Sequence, residues 1–229
     1  MNPIDWTSIT TPLLDEGFAT TPQLLSPEEC RTLIAQYPID AKFRSTIAME
    51  RFNFGKGEYK YFSYPLPAIV QNLREELYPR LAGAANIWCE RLGMKQRYPS
   101  RLDEFLRECK RRNQVRPTPL MLKYQKGDFN CLHQDLYGEL FFPFQAVFGL
   151  SRPRTDYLGG ELVLVKQRPR MQSIPQVIDL PQGHGVIFCV NFHPEQGKRG
   201  YFRTVIKHGV SEITKGKRVT LGIIFHDAR

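Results

Sequence analysis

The sequence predicts an α+β protein in which helices come first and an antiparallel double-layered β structure follows. Three observations carry this. Helix-start signals and four-residue apolar spacing are confined to residues 1 to about 117. From Thr118 onward, short runs rich in Val, Ile, Leu and Phe alternate with Gly, Pro, Asp or Asn. At least seven such runs occur, the number and spacing of a sandwich or double-sheet jelly roll.

In the first half, Ser26-Pro27-Glu28-Glu29 reads as a helix start: an N-cap serine, a proline in the first turn, and a glutamate three residues on. That helix runs through Cys30, Leu33 and Ile34 and stops at Pro38. A second follows Pro67, with Ile69, Leu73, Leu77 and Leu81 on one face, and Pro79 is expected to kink or split it. A shorter amphipathic helix carries Leu102, Phe105, Leu106 and Cys109. The strand readings are Leu120–Tyr124, Phe144–Leu150, Glu161–Lys166, Val177–Leu180, Val186–Val190, Thr204–His208 and Arg218–Phe225. No internal repeat, low-complexity tract or long linker interrupts them. One domain over 1–229 is therefore expected, with 1–117 a helical N-terminal extension and 118–229 the jelly-roll core.

Composition narrows the function. No run approaches the roughly 18 apolar residues of a membrane span, and the N-terminus has neither a basic n-region nor an apolar h-region. A cytoplasmic, non-membrane protein is expected, with no sign of an obligate protein partner. The five cysteines are odd in number, widely spaced and without a C-x-x-C pair, which speaks against a disulfide framework and a zinc–cysteine site. The net charge of +9 suits an anionic partner such as nucleic acid.

The chemistry is concentrated in the second half. His133 and Asp135, two residues apart on an extended segment, point to the same side and can grip one ion. His208, at the end of a predicted strand, is placed to be the third ligand. Two histidines and a carboxylate on one face of an octahedron leave three positions open, the arrangement of non-haem Fe(II) oxygenases, with room for a bidentate cosubstrate and O2. A lone H-x-D is common by chance. What adds weight is Arg218, ten residues after His208, whose guanidinium can take a carboxylate bidentately, with Thr220 on the same face as a hydroxyl donor. His184 in a Gly-flanked turn and His193 in a polar loop lack a carboxylate at ligand spacing. His226 lies eight residues after Arg218 and is expected to line the pocket or contact substrate.

With these residues in place, the chain resembles the AlkB-like 2-oxoglutarate and Fe(II) dioxygenases, in particular the bacterial Oxygenase-NA branch tied to repair of alkylated DNA. The likeness covers most of the chain. It rests on Phe54–Phe62 (FGKGEYKYF), Leu132–Glu139 (LHQDLYGE), Gln167–Ser173 (QRPRMQS) and Leu221–Asp227 (LGIIFHD). The resemblance implies a double-stranded β-helix (jelly roll, cupin-like) with N-terminal helices packed on one sheet. It implies His133, Asp135 and His208 as Fe(II) ligands, and Tyr124, Arg218 and Thr220 as the hold on the distal carboxylate of the 2-oxoglutarate cosubstrate. Two positions depart from the founding AlkB protein: Leu122 replaces an asparagine, and Tyr137 replaces a base-reading aspartate. Prolyl hydroxylases share the same order of ligands and basic residue, so a protein or amino-acid hydroxylase is the alternative.

Substrate readout falls on residues 51–64, where Phe52, Phe54, Tyr59, Tyr61, Phe62 and Tyr64 stand near Arg51, Lys56 and Lys60. Aromatic faces stack a flipped base while cations hold phosphates; a hairpin with one parity buried is the plainer reading of the same pattern. Arg51, Tyr59, Tyr61, Tyr137 and His226 are the substrate candidates. The expected reaction is oxidative dealkylation of nucleic acid: hydroxylation of an N-alkyl group, with succinate, CO2 and an aldehyde released.

Overall fold

Ser26 caps its helix as its neighbours predict. The computed structural model describes residues 4–135 and 138–229, and among them run helices α1 (Thr7–Glu16), α2 (Pro27–Gln36), α3 (Ala68–Arg91) and α4 (Leu102–Arg111). At the start of α2, Glu29 N donates to Ser26 Oγ at 3.2 Å and Ser26 N donates to Glu29 Oε2 at 2.8 Å, a reciprocal capping box. α1 had no reading from the sequence; it ends on Gly17 at φ 85, where the left-handed cap lets Gly17 N donate to Leu13 O. Pro79 does not divide α3, which continues through it for 24 residues. Leu73, Leu77, Leu81, Ala85 and Trp88, buried on both sides of the proline, hold the two halves to one surface. None of these helices is long and apolar enough to cross a membrane.

The strands in chain order are β1 (Phe18–Gln23), β2 (Phe43–Ala48), β3 (Gly55–Lys56), β4 (Glu58–Phe62), β5 (Leu120–Gln125), β6 (Phe129–His133) and β7 (Phe144–Gly149). After them come β8 (Tyr157–Gly159), β9 (Leu162–Gln167), β10 (Ile174–Ile178), β11 (His184–Cys189), β12 (Phe192–Gly197), β13 (Gly200–Val210) and β14 (Ile213–Ile224). The larger sheet has the order β1-β11-β7-β14-β5-β4-β2, with β8 paired to the start of β14; the smaller has β10-β9-β13-β6-β3, with β12 on β13. Their inner faces meet through Leu162 and Leu164 of one sheet against Val186 and Phe188 of the other. This is a jelly roll of the double-stranded β-helix type.

The described α-helices all precede residue 117, but strands lie on both sides of it. β1 extends the larger sheet beside β11, β2 and β4 form a hairpin at its opposite edge beside β5, and β3 joins the smaller sheet beside β6. A hairpin is one of the two readings of residues 51–64; β1 and β3 pair with strands far along the chain, so local composition does not reveal them.

Alternation along β14 sorts its side chains. Val219, Leu221 and Ile223 join the helix-facing core with Met121, Phe144 and Ala146, while Arg218, Thr220, Gly222 and Ile224 face inward between the sheets. α3 is fastened to the end of this strand by Arg74, which is fully buried. Its guanidinium pairs with Asp227 at 2.8 Å and donates to Ile224 O at 3.0 Å and Phe225 O at 2.9 Å.

Candidate metal centre and cosubstrate pocket

β6 and β13 carry two of the predicted metal ligands opposite each other. His208 pairs with His133, but the next pair is Val210 with Asn130, so β6 carries one residue more than β13 across this span. That β-bulge at Cys131 and Leu132 turns both Asn130 and His133 into the cavity, although three positions separate them. Gly209 makes the bulge possible: a Cβ there would stand 2.7 Å from Asn130 O.

The ligand atoms of His133, Asp135 and His208 all lie within 4.8 Å of one another. Asp135 Oδ1 is 3.3 Å from His133 Nε2, and Asp135 Oδ2 is 3.1 Å from His208 Nε2. His133 Nδ1 lies 2.7 Å from Cys131 O. A carbonyl only accepts, so the ring proton sits at Nδ1 and Nε2 presents a lone pair to the carboxylate. A neutral ring would set two acceptors against each other at this distance, so the pair needs a cation between them: a second ring proton, or a metal in its place. Burial would lower the pKa of His133, but the hydrogen bond and charge of Asp135 outweigh it and hold the imidazole above its usual range. Burial opposes ionisation of Asp135, yet the facing histidines keep its carboxyl well below the usual range; His208 is pushed down by burial. Two imidazole nitrogens and one carboxylate oxygen, with no thiolate, fit Fe(II) by donor type.

The same cavity, of about 220 Å³, extends from these residues to Tyr124, Thr220 and Arg218. Arg218 is 1% exposed, its Nε has no hydrogen-bond partner, and no carboxylate among the described residues pairs with it. Its guanidinium carbon lies 5.6 Å from the Tyr124 ring centre and 6.0 Å from that of Tyr157. Among the described residues Tyr124 Oη meets no acceptor for its proton, though the Asn130 amide lies against it, and burial pushes its pKa up to about 12, so it remains a hydroxyl donor. A buried cation and an idle donor in one wall call for an anion. The distal carboxylate of the expected 2-oxoglutarate is an anion of that kind. Leu122 lines the cavity at the position where the founding AlkB protein has an amide, and Asn130 presents an amide to the same space from β6 in the other sheet.

The substrate candidates separate. Tyr59 lines the cavity. Tyr61 does not; it is buried under the Arg44 guanidinium, 4.4 Å from its ring centre. Arg51 is exposed in the 3-10 turn Met49–Phe52, away from the cavity lining. His226 does not reach the pocket: β14 ends at Ile224, the strand alternation lapses, and His226 Nδ1 accepts from Phe142 N at 3.2 Å. Burial pushes its pKa down to about 3, the behaviour of a structural, neutral imidazole. Tyr137 lies outside the described residues.

One residue that the sequence reading passed over belongs here, Gln145, together with Phe54 of the aromatic segment. Gln145 on β7 donates from Nε2 to Asp135 Oδ2 at 2.9 Å and stands 3.2 Å from His208 Nε2. Phe54, whose carbonyl accepts from Cys131 N at 2.9 Å, lines the cavity and stacks on Phe52 with ring centres 5.5 Å apart.

Register orients the cavity. Arg218, Tyr124, Asn130 and the Val210–Leu162 pair mark one end, and His133, His208 and Leu164 lie further along. Beyond them β9 runs into Arg168 and Arg170, and the β12–β13 hairpin reaches its tip at Lys198 and Arg199. Arg168 is tied to Glu195, whereas Arg170, Lys198 and Arg199 are exposed.

Comparison with known proteins follows the same line. Residues 57–228 match the model of the Oxygenase-NA family, described as an oxygenase catalysing oxidative methylation of damaged DNA. Two uncharacterised proteins of Mycobacterium tuberculosis, from strains CDC 1551 and H37Rv, are 47% identical over 167 residues, 73% of this chain and 72% of theirs. A Pseudomonas putida prolyl-4-hydroxylase superposes with a TM-score of 0.61 at 13% identity, over 98% of this chain and 99% of its own. A 2OG-Fe(II) oxygenase family oxidoreductase from Burkholderia pseudomallei gives 0.54 at 14%, over 97% and 92%. A Trichoplax adhaerens prolyl hydroxylase in complex with a hypoxia inducible factor peptide fragment gives 0.56 at 12%, over 97% and 89%. At such identities these structures speak for the fold.

Proposed function

The chain belongs to the Oxygenase-NA family, and from that membership we propose that it oxidises alkyl groups on damaged nucleic acid, restoring the base. It is a 2-oxoglutarate-dependent Fe(II) oxygenase, an oxidoreductase that uses O2. The observation that carries the reading is one cavity holding three convergent N and O donors at 4.8 Å or less together with a buried arginine that lacks a carboxylate.

In this reading His133, Asp135 and His208 hold the iron, and Arg218, Tyr124 and Thr220 hold the far carboxylate of 2-oxoglutarate. Iron with 2-oxoglutarate and O2 supplies insertion of one oxygen atom into a substrate C–H bond, the other oxygen leaving in succinate as CO2 is lost. The chain's own work is positional. His133 keeps its proton at Nδ1 through Cys131 O, leaving Nε2 for the metal. Arg218 fixes the cosubstrate by a charge-assisted fork at the inner end of the cavity. Leu122, Val147, Leu162, Phe188 and Ile224 give the cavity apolar walls that exclude water. On an N-alkyl group the product is a hemiaminal; its hydroxyl proton passes to nitrogen, the C–N bond breaks, and aldehyde leaves.

For the substrate, support comes from the family description, from the exposed Phe52–Phe54 pair beside the cavity, and from Arg170, Lys198 and Arg199 beyond its metal end. Aromatic faces accept an unstacked base and cations accept phosphates. We further propose that residues 1–229 act as one domain, since strands from both halves complete each sheet. A peptide is the second reading, favoured by the fold shared with prolyl hydroxylases.

The deciding experiment supplies anaerobically reconstituted protein with O2 and a panel of N-alkylated oligonucleotides and proline-containing peptides, and follows aldehyde, succinate and hydroxylated peptide. Aldehyde release from oligonucleotides, with binding that weakens steeply as salt rises, is the expected result. Hydroxylated peptide without aldehyde would replace the nucleic-acid reading by the second one. Succinate from none of them would remove both.

A further inference from the structure

We propose that Asn130 is a positioning residue of the cosubstrate site: its carboxamide holds the Tyr124 hydroxyl so that the phenol proton points into the cavity, toward the far carboxylate of 2-oxoglutarate. The inference rests on the assignment of Tyr124 and Arg218 to that carboxylate, and adds a side chain from the opposite sheet.

Asn130 and Tyr124 come from different sheets, on β6 and β5, and both line the cavity at the end marked by Arg218. Two short crossings bring them together. The first is the turn that joins β5 to β6, closed by Gln125 N donating to Asp128 Oδ2 at 2.8 Å and Asp128 N donating to Gln125 O at 2.9 Å. The second is Gly55-Lys56-Gly57, where the chain leaves β3 beside Asn130 and enters β4 beside β5. Neither glycine has room for a side chain. A Cβ on Gly55 would stand 2.4 Å from Phe129 O and 3.0 Å from Asn130 Cα, and one on Gly57 would stand 3.0 Å from the Tyr124 ring. Both also hold positive φ, at 125 and 132. The glycine pair of the FGKGEYKYF motif thus seats the two residues against each other.

The chemistry of the contact fixes its direction. The Asn130 amide lies against Tyr124 Oη and favours negative charge there, so it offers N–H rather than its carbonyl. A phenol has one proton to give, and among the described residues Tyr124 meets no acceptor for it. With the oxygen met by Asn130, the hydroxyl directs its proton into the cavity, on the side that Arg218 lines. A carboxylate gripped by the guanidinium accepts it as a further hydrogen bond. Without the amide the hydroxyl is free to turn, and ordering it is charged against cosubstrate binding.

Binding alone carries the test. On anaerobic protein loaded with Co(II), the change in visible absorbance on adding a keto acid reads its affinity. Asn130→Leu and Asn130→Ala should each weaken 2-oxoglutarate about five- to thirty-fold, the scale of one hydrogen bond to a charged group. Two variants are used so that a folding defect in one leaves the other to decide. Two further readouts separate positioning from general damage. 2-Oxopentanoate, with a methyl group in place of the far carboxylate, should bind wild type and variants within about two-fold of one another. In a Tyr124→Phe background the same Asn130 substitutions should cost less than about two-fold, because the hydroxyl they act through is gone. Unchanged 2-oxoglutarate affinity, an equal loss for both keto acids, or a full loss on top of Tyr124→Phe would overturn the role of Asn130 while leaving the site assignment intact. A wild type that shows no preference for 2-oxoglutarate over 2-oxopentanoate would overturn the assignment of Tyr124 and Arg218 as well.

Discussion

Replacing Arg218 by methionine should have opposite effects on stability and on cosubstrate binding. The guanidinium is 1% exposed, has no carboxylate partner among the described residues, and keeps an unpartnered Nε. Burying an ion costs several kcal/mol, and two tyrosine rings at 5.6 and 6.0 Å return about 0.5–2 kcal/mol each at best. An apolar side chain of similar length removes that cost. Arg218→Met without cosubstrate should therefore be as stable as the wild type or more so, by up to about 4 kcal/mol, each kcal/mol raising the midpoint by about 2–4 °C. Binding moves the other way. Loss of one partner from a buried, hydrogen-bonded charge pair costs about 2–5 kcal/mol, so 2-oxoglutarate affinity should fall between about thirty-fold and a few thousand-fold. Thermal unfolding with and without 2-oxoglutarate, on protein held anaerobically with Co(II), reads both quantities at once. A variant that unfolds earlier than the wild type yet binds 2-oxoglutarate equally well would make Arg218 a structural residue and refute the argument.

Other expectations follow from single contacts. Asp227→Ala strips the buried Arg74 of its counter-ion, leaving its hydrogen bonds to Ile224 O, Phe225 O and Tyr64 Oη; urea unfolding should show a loss of about 3–5 kcal/mol. His226 is held neutral by burial, its pKa lowered from 6.5 to about 3, so the unfolded chain takes up the proton first as pH falls. Its contribution is intact above about pH 6.5 and is lost below it, on the order of 3 kcal/mol by pH 4. His226→Asn, which retains an acceptor for Phe142 N, should show a flatter stability curve between those values; parallel curves would count against it. Gly209→Ala places a Cβ 2.7 Å from Asn130 O, and should cost about 1–3 kcal/mol while weakening Co(II) binding through the displaced bulge. Unchanged metal affinity in a folded Gly209→Ala would mean that the bulge does not aim His133.

The residues that the sequence reading found are those whose neighbours along the chain determine their surroundings. The capping box at Ser26 and Glu29 is complete within four residues, and the inward pair Arg218 and Thr220 follows from strict alternation inside a long strand. His133 was reached by an argument only half right. Its two-residue spacing from Asp135 suggested a shared strand face, yet β6 ends at His133, and its aim comes from the bulge and from pairing with His208. His226 was misplaced by the same logic. Eight residues from Arg218 is a shared face only while the strand lasts, and β14 stops two residues short. Gln145 left no trace, because one amide in the run Phe144–Phe148 reads as a minor flaw in a buried strand. Its meaning depends on Asp135 and His208, ten and sixty-three residues away, and both contacts come from the closing of the two sheets around one cavity. Local pattern therefore identifies side chains that can bind a metal. The polar contacts around them are set by tertiary pairing, and a buried amide among apolar residues is where to look for them.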